Sequence, residues 1–163
     1  MPGEKDFIQS IEHNQKIIHK VCSLYMNNEQ DKKDLFQEIL LAAWKGFGNF
    51  KGDAKFSTWL YRVALNTAIT FYRKEKRQPE TASLPEQFTI ASADNNVEGE
   101  EQLTAMYKSI NELSGIDKAL VMLYMEDYSY IEMGELMGIT ANNVAVKMNR
   151  IKTKLKESTK KYL

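Results

Sequence analysis

The chain has 163 residues, 43% of them hydrophobic and 27% charged, with a formal net charge of zero. That length holds one compact domain or two very small ones, and no apolar run approaches the roughly 20 residues that a membrane-spanning helix needs. Cys22 is the single cysteine, which excludes an internal disulfide and leads us to expect a reducing, cytoplasmic setting.

The zero net charge conceals a segregation. Residues 51–78 carry seven basic and two acidic groups, residues 79–146 two and twelve, and residues 147–163 seven and one. Local field rather than net charge decides attraction to a polyanion. Two basic blocks held apart by an acidic middle fit a chain that meets nucleic acid at two places; they also fit two solvated helix faces.

In chain order, the opening MPGEKDFIQSIEHNQK is polar and charged, so no secretory leader is expected. Residues 7–26 and 31–48 read as amphipathic helices. The run DKKDLFQEILLAAWKGF within the second is rich in helix formers and apolar nearly all round. Asp34 and Glu38 stand one turn apart and face one way. So many apolar neighbours crowd round them (Leu35, Phe36, Ile39, Leu40, Leu41) that a protein partner is expected to cover the excess. A loop, GNFKGDAKF, follows, and then a helix over about Ser57–Arg77 with Ser57 as its cap. The spacing gives that helix an inner stripe of Leu60, Val63, Ala64, Ala68 and Phe71, and an outer stripe of Arg62, Asn66, Ile69 and Arg73. Trp59 borders the outer stripe. Arginines and an asparagine on one face suit a nucleic-acid backbone. Phe50, Phe56 and Trp59 bracket a loop carrying Lys51 and Lys55, a mixture able to stack on unpaired bases, although any one large aromatic more often belongs to a core.

Composition then shifts. Residues 78–102 hold two prolines, many small polar residues and acid, and read as a linker with little structure of its own. Helices are expected to resume near Leu103–Leu113, Ser114–Glu126, 129–137 and 141–160. In the last, Val144, Met148, Ile151 and Leu155 recur at i, i+4, i+7 and i+11, so that stripe packs inward. The opposite face shows Asn142, Val146, Asn149 and Thr153, flanked by Ala145 on one side and by Asn143 and Arg150 on the other. Thr140 is placed to cap this helix by accepting from the amide of Asn142 or Asn143, and Gly138 to end the preceding one in a left-handed conformation. In that preceding helix Tyr130, Met133 and Met137 share a face, and Gly134 permits close approach. Helix, glycine turn and capped second helix make a helix-turn-helix. Such a second helix enters the major groove, where Asn pairs with adenine and Arg with guanine. Lys147, Lys152, Lys154 and Lys156 would hold phosphates.

The fold expected is therefore all-α: two small helical domains, 1–78 and 103–163, joined by an acidic linker at 79–102. His13, His19 and Cys22 fit no zinc spacing, and no phosphate-cradling loop or nucleophile elbow occurs. Neither catalysis, nor a cofactor, nor a metal, nor a small-molecule substrate is expected. No heptad seam supports the dimer that a stand-alone repressor needs.

The segments DLFQE at 34–38, FKGDAKFSTWLYRVALNTA at 50–68 and the helix-turn-helix at 128–155 together resemble a sigma factor of bacterial RNA polymerase, of the extracytoplasmic-function subfamily. The resemblance implies a transcription initiation factor with a sigma-2-like and a sigma-4-like domain. It implies that Asp34, Leu35, Gln37 and Glu38 grip the β′ clamp. Phe50, Lys51, Lys55 and Phe56 would capture a flipped base of the minus-10 element, with Trp59, Arg62, Asn66 and Arg73 along the melted strand. Asn143, Ala145, Val146, Lys147, Asn149 and Arg150, with Thr140 and Asn142 in the first turn, would meet the minus-35 element. Ala145 and Val146 are small and apolar for readers of base edges, so methyl contacts and DNA shape gain weight there. The partners implied are the polymerase core (β′ clamp and β flap), promoter DNA and, as in many such proteins, an anti-sigma factor, which the sequence does not identify. The acidic linker, with Asp94, Glu98, Glu100 and Glu101, would thread a basic channel of the polymerase.

Overall fold

A computed structural model describes residues 3–77 and 97–163, with side chains over 3–74 and 99–163. These residues form two compact units, one to either side of residues 83 and 84, and every regular element among them is an α-helix. Unit 1 comprises α1 (Glu4–His13), α2 (Gln15–Tyr25), α3 (Glu29–Phe47) and α4 (Phe56–Arg77). Unit 2 comprises α5 (Val97–Asn111), α6 (Gly115–Met125), α7 (Tyr130–Met137) and α8 (Ala141–Tyr162).

In unit 1, α2 and α3 both pack on α4. Ile18, Val21, Leu35, Ile39, Leu60, Ala64, Leu65 and Ala68 are buried where they meet. The helix expected over 7–26 is broken at Asn14. Its side-chain amide donates to the Ser10 carbonyl at 2.8 Å and its backbone amide to the Ile11 carbonyl at 3.0 Å. An asparagine that bonds its own preceding turn competes with the helix ladder. Asn28 opens α3 by accepting from the Asp31 amide at 2.8 Å. α4 begins at Phe56, and its first hydrogen bond runs from the Trp59 amide to the Lys55 carbonyl at 3.1 Å. Ser57 therefore lies inside the helix and does not cap it.

In unit 2, α5, α6 and α7 all pack on α8. Leu113, Leu120, Leu123, Met133, Val144, Met148 and Ile151 fill the interior. Leu155 and Met137, expected inward, are half-buried, and Leu136 completes the α7 face. α5 begins at Val97, inside the stretch expected to be linker, so Glu98, Glu100 and Glu101 lie on a helix. The rest of that stretch, Asp94 included, falls outside the described residues. Lys118 is fully buried, and its ammonium donates to Asn111 Oδ1 at 3.4 Å, which ties α6 to the end of α5. Ser114 and Ser129 cap α6 and α7 by accepting from the Asp117 and Glu132 amides. Glu132 reciprocates by accepting from the Ser129 amide at 3.0 Å, which completes a capping box.

Gly134 sits where α7 meets the following turn. A Cβ there would stand 2.5 Å from the Ile139 carbonyl oxygen, a backbone atom that cannot swing aside. Alanine is the better helix former by about 1 kcal/mol, but the clash is of the overpacking kind and outweighs that gain. We expect Gly134→Ala to lower the stability of unit 2 by about 1–2 kcal/mol net, read as a fall in its thermal midpoint.

Cys22 and Tyr25 lie buried on α2. Burial pushes the Cys22 thiol from 9.0 up to about 11, against a smaller opposing pull from Lys32. Burial, and then Tyr72, push the Tyr25 phenol above its usual range. Both stay protonated in the fold past the pH at which the unfolded chain releases them. Unit 1 is therefore expected to lose stability as pH rises from 9.0 through about 11. Denaturant midpoints across that window should fall less steeply in Cys22→Ala and in Tyr25→Phe.

Candidate nucleic-acid interface

The outward face of α8 is built from its cap. The Thr140 hydroxyl accepts from the Asn143 amide at 3.1 Å, and Gly138 ends α7 in the left-handed region at φ 73°. The first turn of α8 therefore starts cleanly after a tight corner. Asn142, Val146, Asn149 and Thr153 are all exposed along one row, with Asn143 and Arg150 exposed beside it. Ala145 and Lys147 are partly covered. Val146 is 50% exposed, an apolar side chain standing between two amide side chains.

In unit 1 the aromatic residues form one cluster. Phe50 and Trp59 have ring centroids 5.4 Å apart, as do Phe56 and Trp59, and Phe50 and Phe56 are 5.8 Å apart. Phe47, fully inside, stacks on Phe50 at 6.2 Å. Phe50, Phe56 and Trp59 are half-buried, whereas Lys51, Gly52, Asp53, Ala54 and Lys55 are all exposed. Gly52 carries the turn at φ 78°. The rings are thus neither free nor wholly core; they lean on one another with part of each surface open. On α4, Arg62, Asn66 and Arg73 are exposed as expected. Ile69 is buried at 8% exposure, and Thr70, exposed, takes its place in the outer row. The helix tucks Leu65 and Ile69 together against its neighbours, so the buried arc is wider than a single stripe.

Family comparison bears directly on these two surfaces. Residues 10–78 match sigma-70 region 2, and residues 103–155 match sigma-70 region 4. The chain belongs to the extracytoplasmic-function branch of the sigma-70 family. It is 28% identical over 161 residues to the ECF RNA polymerase sigma factor SigW of Bacillus subtilis, covering 91% of this chain and 86% of that one. It is 26% identical over 150 residues to SigM of Mycobacterium tuberculosis, covering 91% and 74%. In fold it is similar to the sigma factor RpoE of Bartonella quintana, solved in complex with the anti-sigma factor NepR. That likeness has a TM-score of 0.71 and 20% identity, and covers 96% of this chain and 98% of that one. As a sigma factor the chain is a promoter-directing initiation factor for RNA polymerase core, not an enzyme. No helix among its described residues is long and apolar enough to cross a membrane.

This sigma factor has a third surface, on α3. Asp34, Gln37 and Glu38 are exposed, and the Gln30 side-chain amide donates to Asp34 Oδ1 at 3.0 Å. Leu35 is fully buried and lies beneath this face, not on it. Leu41 and Trp44, each 48% exposed, extend it instead; they follow Gln37 at i+4 and i+7, a spacing legible in the sequence. The Trp44 ring lies 5.1 Å from Phe7 of α1, and Ile8 beside Phe7 is exposed as well. The face thus grades from polar to apolar along one helix.

Proposed function

We propose that the three faces act together during promoter opening. Asp34, Gln37 and Glu38, continued by Leu41 and Trp44, dock on the β′ clamp, with Leu35 supporting them from within. The α8 row meets the minus-35 element through Asn142, Asn143, Ala145, Val146, Lys147, Asn149 and Arg150, with Thr140 fixing the first turn. The loop and cluster at Phe50, Lys51, Lys55, Phe56 and Trp59 hold an extruded minus-10 base, while Arg62, Asn66 and Arg73 follow the strand. Residues 1–78 are then the sigma-2-like domain and 103–163 the sigma-4-like one, and the protein works in the cytoplasm. The apolar side chains that α5 exposes, Leu103 and Met106, give the second domain a grip for the β flap. An anti-sigma partner belongs to the same proposal, since the Bartonella quintana relative is crystallised with one.

One observation carries this reading: three half-open aromatic rings ring an exposed basic loop on the same unit that bears the α3 face. Unstacking a base costs a few kcal/mol, and stacking it on an aromatic returns roughly 1–3 kcal/mol. The loop therefore decides whether the bubble persists. With core polymerase and a cognate promoter, Phe56→Ala and Trp59→Ala should each reduce permanganate reactivity of the bubble by about tenfold, at roughly 1.4 kcal/mol per factor of ten, while closed-complex binding changes little. Asp34→Ala with Glu38→Ala should instead weaken capture of the core. Unchanged bubbles in well-folded aromatic variants would overturn the reading.

A further inference from the structure

Lys152 differs from the other cations of α8. Its ammonium lies 4.9 Å from the centroid of the Tyr124 ring and donates to the Tyr130 hydroxyl at 3.5 Å. Tyr124 stands near the end of α6 and Tyr130 opens α7; their rings are 6.5 Å apart. One cation on α8 is therefore gripped from two other helices. Lys147, Arg150, Lys154 and Lys156 have no such partner among the described residues. The hydrogen bond it donates to Tyr130, and then the nearness of the two phenols, hold Lys152 above the usual lysine range.

Two readings compete. A surface lysine on a tyrosine face can be a cross-brace and nothing more. Against that, Lys152 is itself exposed, and an ammonium has three donors, which the two phenols do not exhaust. On the helical wheel it sits on the flank beside Ala145, between the inward stripe and the outward row. That is where a groove-inserted helix meets a strand's phosphates while its outward row meets base edges. A free lysine surrenders rotamer freedom when it docks on a phosphate; one already held surrenders less.

We propose that Tyr124 and Tyr130 are positioning residues that hold Lys152 ready for a DNA backbone phosphate, giving the second domain a fixed anchor beside its reading face. The proposal rests on the minus-35 reading of α8 above.

Promoter affinity of the holoenzyme, measured against salt, tests it. Lys152→Gln should lower affinity about tenfold and reduce the slope of log affinity on log salt by about 0.9, the value for one phosphate. Tyr124→Leu and Tyr130→Phe should each lower affinity about threefold with the slope unchanged, because the charge remains while its placement is lost. Tyr124→Phe, which keeps the ring, should match wild type. In the Lys152→Gln background Tyr124→Leu should add nothing. Equal losses from Tyr124→Leu with and without Lys152, or a Lys152→Gln slope equal to wild type, would overturn the proposal while leaving the minus-35 reading intact. A wild-type holoenzyme indifferent to the minus-35 sequence would overturn both.

Discussion

The corner between α7 and α8 closes on Gly134. The Ile139 amide donates to the Gly134 carbonyl at 3.0 Å, and the Ile139 carbonyl oxygen lies only 2.5 Å from where a Cβ at Gly134 would be. Only a residue without a side chain lets the chain double back this tightly, and only a left-handed Gly138 then releases it into the next helix. Thr140 accepts from the Asn143 amide in the first turn of α8. Each of these steps is local, yet together they set the angle at which α8 leaves the domain. That angle decides whether Asn142 and Val146 project from the surface as one row. It also brings Lys152 onto Tyr130, because Tyr130 sits at the far end of the same α7 that Gly134 positions. Reading and gripping are therefore coupled through one turn.

Charge adds orientation to this geometry. The last 17 residues carry nearly all of the cations of unit 2, whereas α5, α6 and α7 and their connections carry the acids. Glu112, Glu126, Asp127, Glu132 and Glu135 make the helices around α8 unfavourable to phosphate. Buried Lys118 does not alter this balance, since its ammonium is turned inward to Asn111. A chain with no net charge can thus present a strongly cationic edge on α8 while the other helices of the same unit are acidic.

The sequence was most legible where structure is local. The cap at Thr140, the glycine at 138, and the inward Val144–Met148–Ile151 stripe all follow from side chains acting on their own turn, whereas the caps at Asn28 and Ser129 emerge only from the structure. It was less legible where a tertiary neighbour decides. Ile69 falls on the outer stripe by spacing, but α4 is covered on two sides by α2 and α3, so its buried arc takes in Leu65 and Ile69 as well. Leu35 was grouped with its polar neighbours for the same reason, since a five-residue segment does not say which member turns inward. The break at Asn14 was visible in principle as an asparagine amid helix formers, but its cause is a single side-chain bond to Ser10. The early start of α5 was hidden by acid-rich composition, which resembles a linker whether or not it is helical. The clasp on Lys152 joins residues separated by 22 and 28 positions, and no periodicity marks it.

The aromatic cluster sets the energetic logic of the first domain. Phe50, Phe56 and Trp59 already satisfy one another in the free protein, in pairs each contributing roughly 0.5–1.5 kcal/mol. A base that enters must displace some of that contact, so its net gain is smaller than stacking alone suggests. Set against the cost of leaving the duplex, capture by the isolated protein comes out near zero or unfavourable. Under the proposed reading, the deficit has to be met by another association, and the α3 face lies on the same rigid unit to supply it. Phe47, the last residue of α3, touches Phe50, Phe56 and Trp59 directly, and Gly46 lies close against the Trp59 ring. The α3 helix proposed to dock on the polymerase and the rings proposed to hold the base are thus parts of one packed body. On that reading opening is conditional on the core being present, and the protein does not melt DNA on its own.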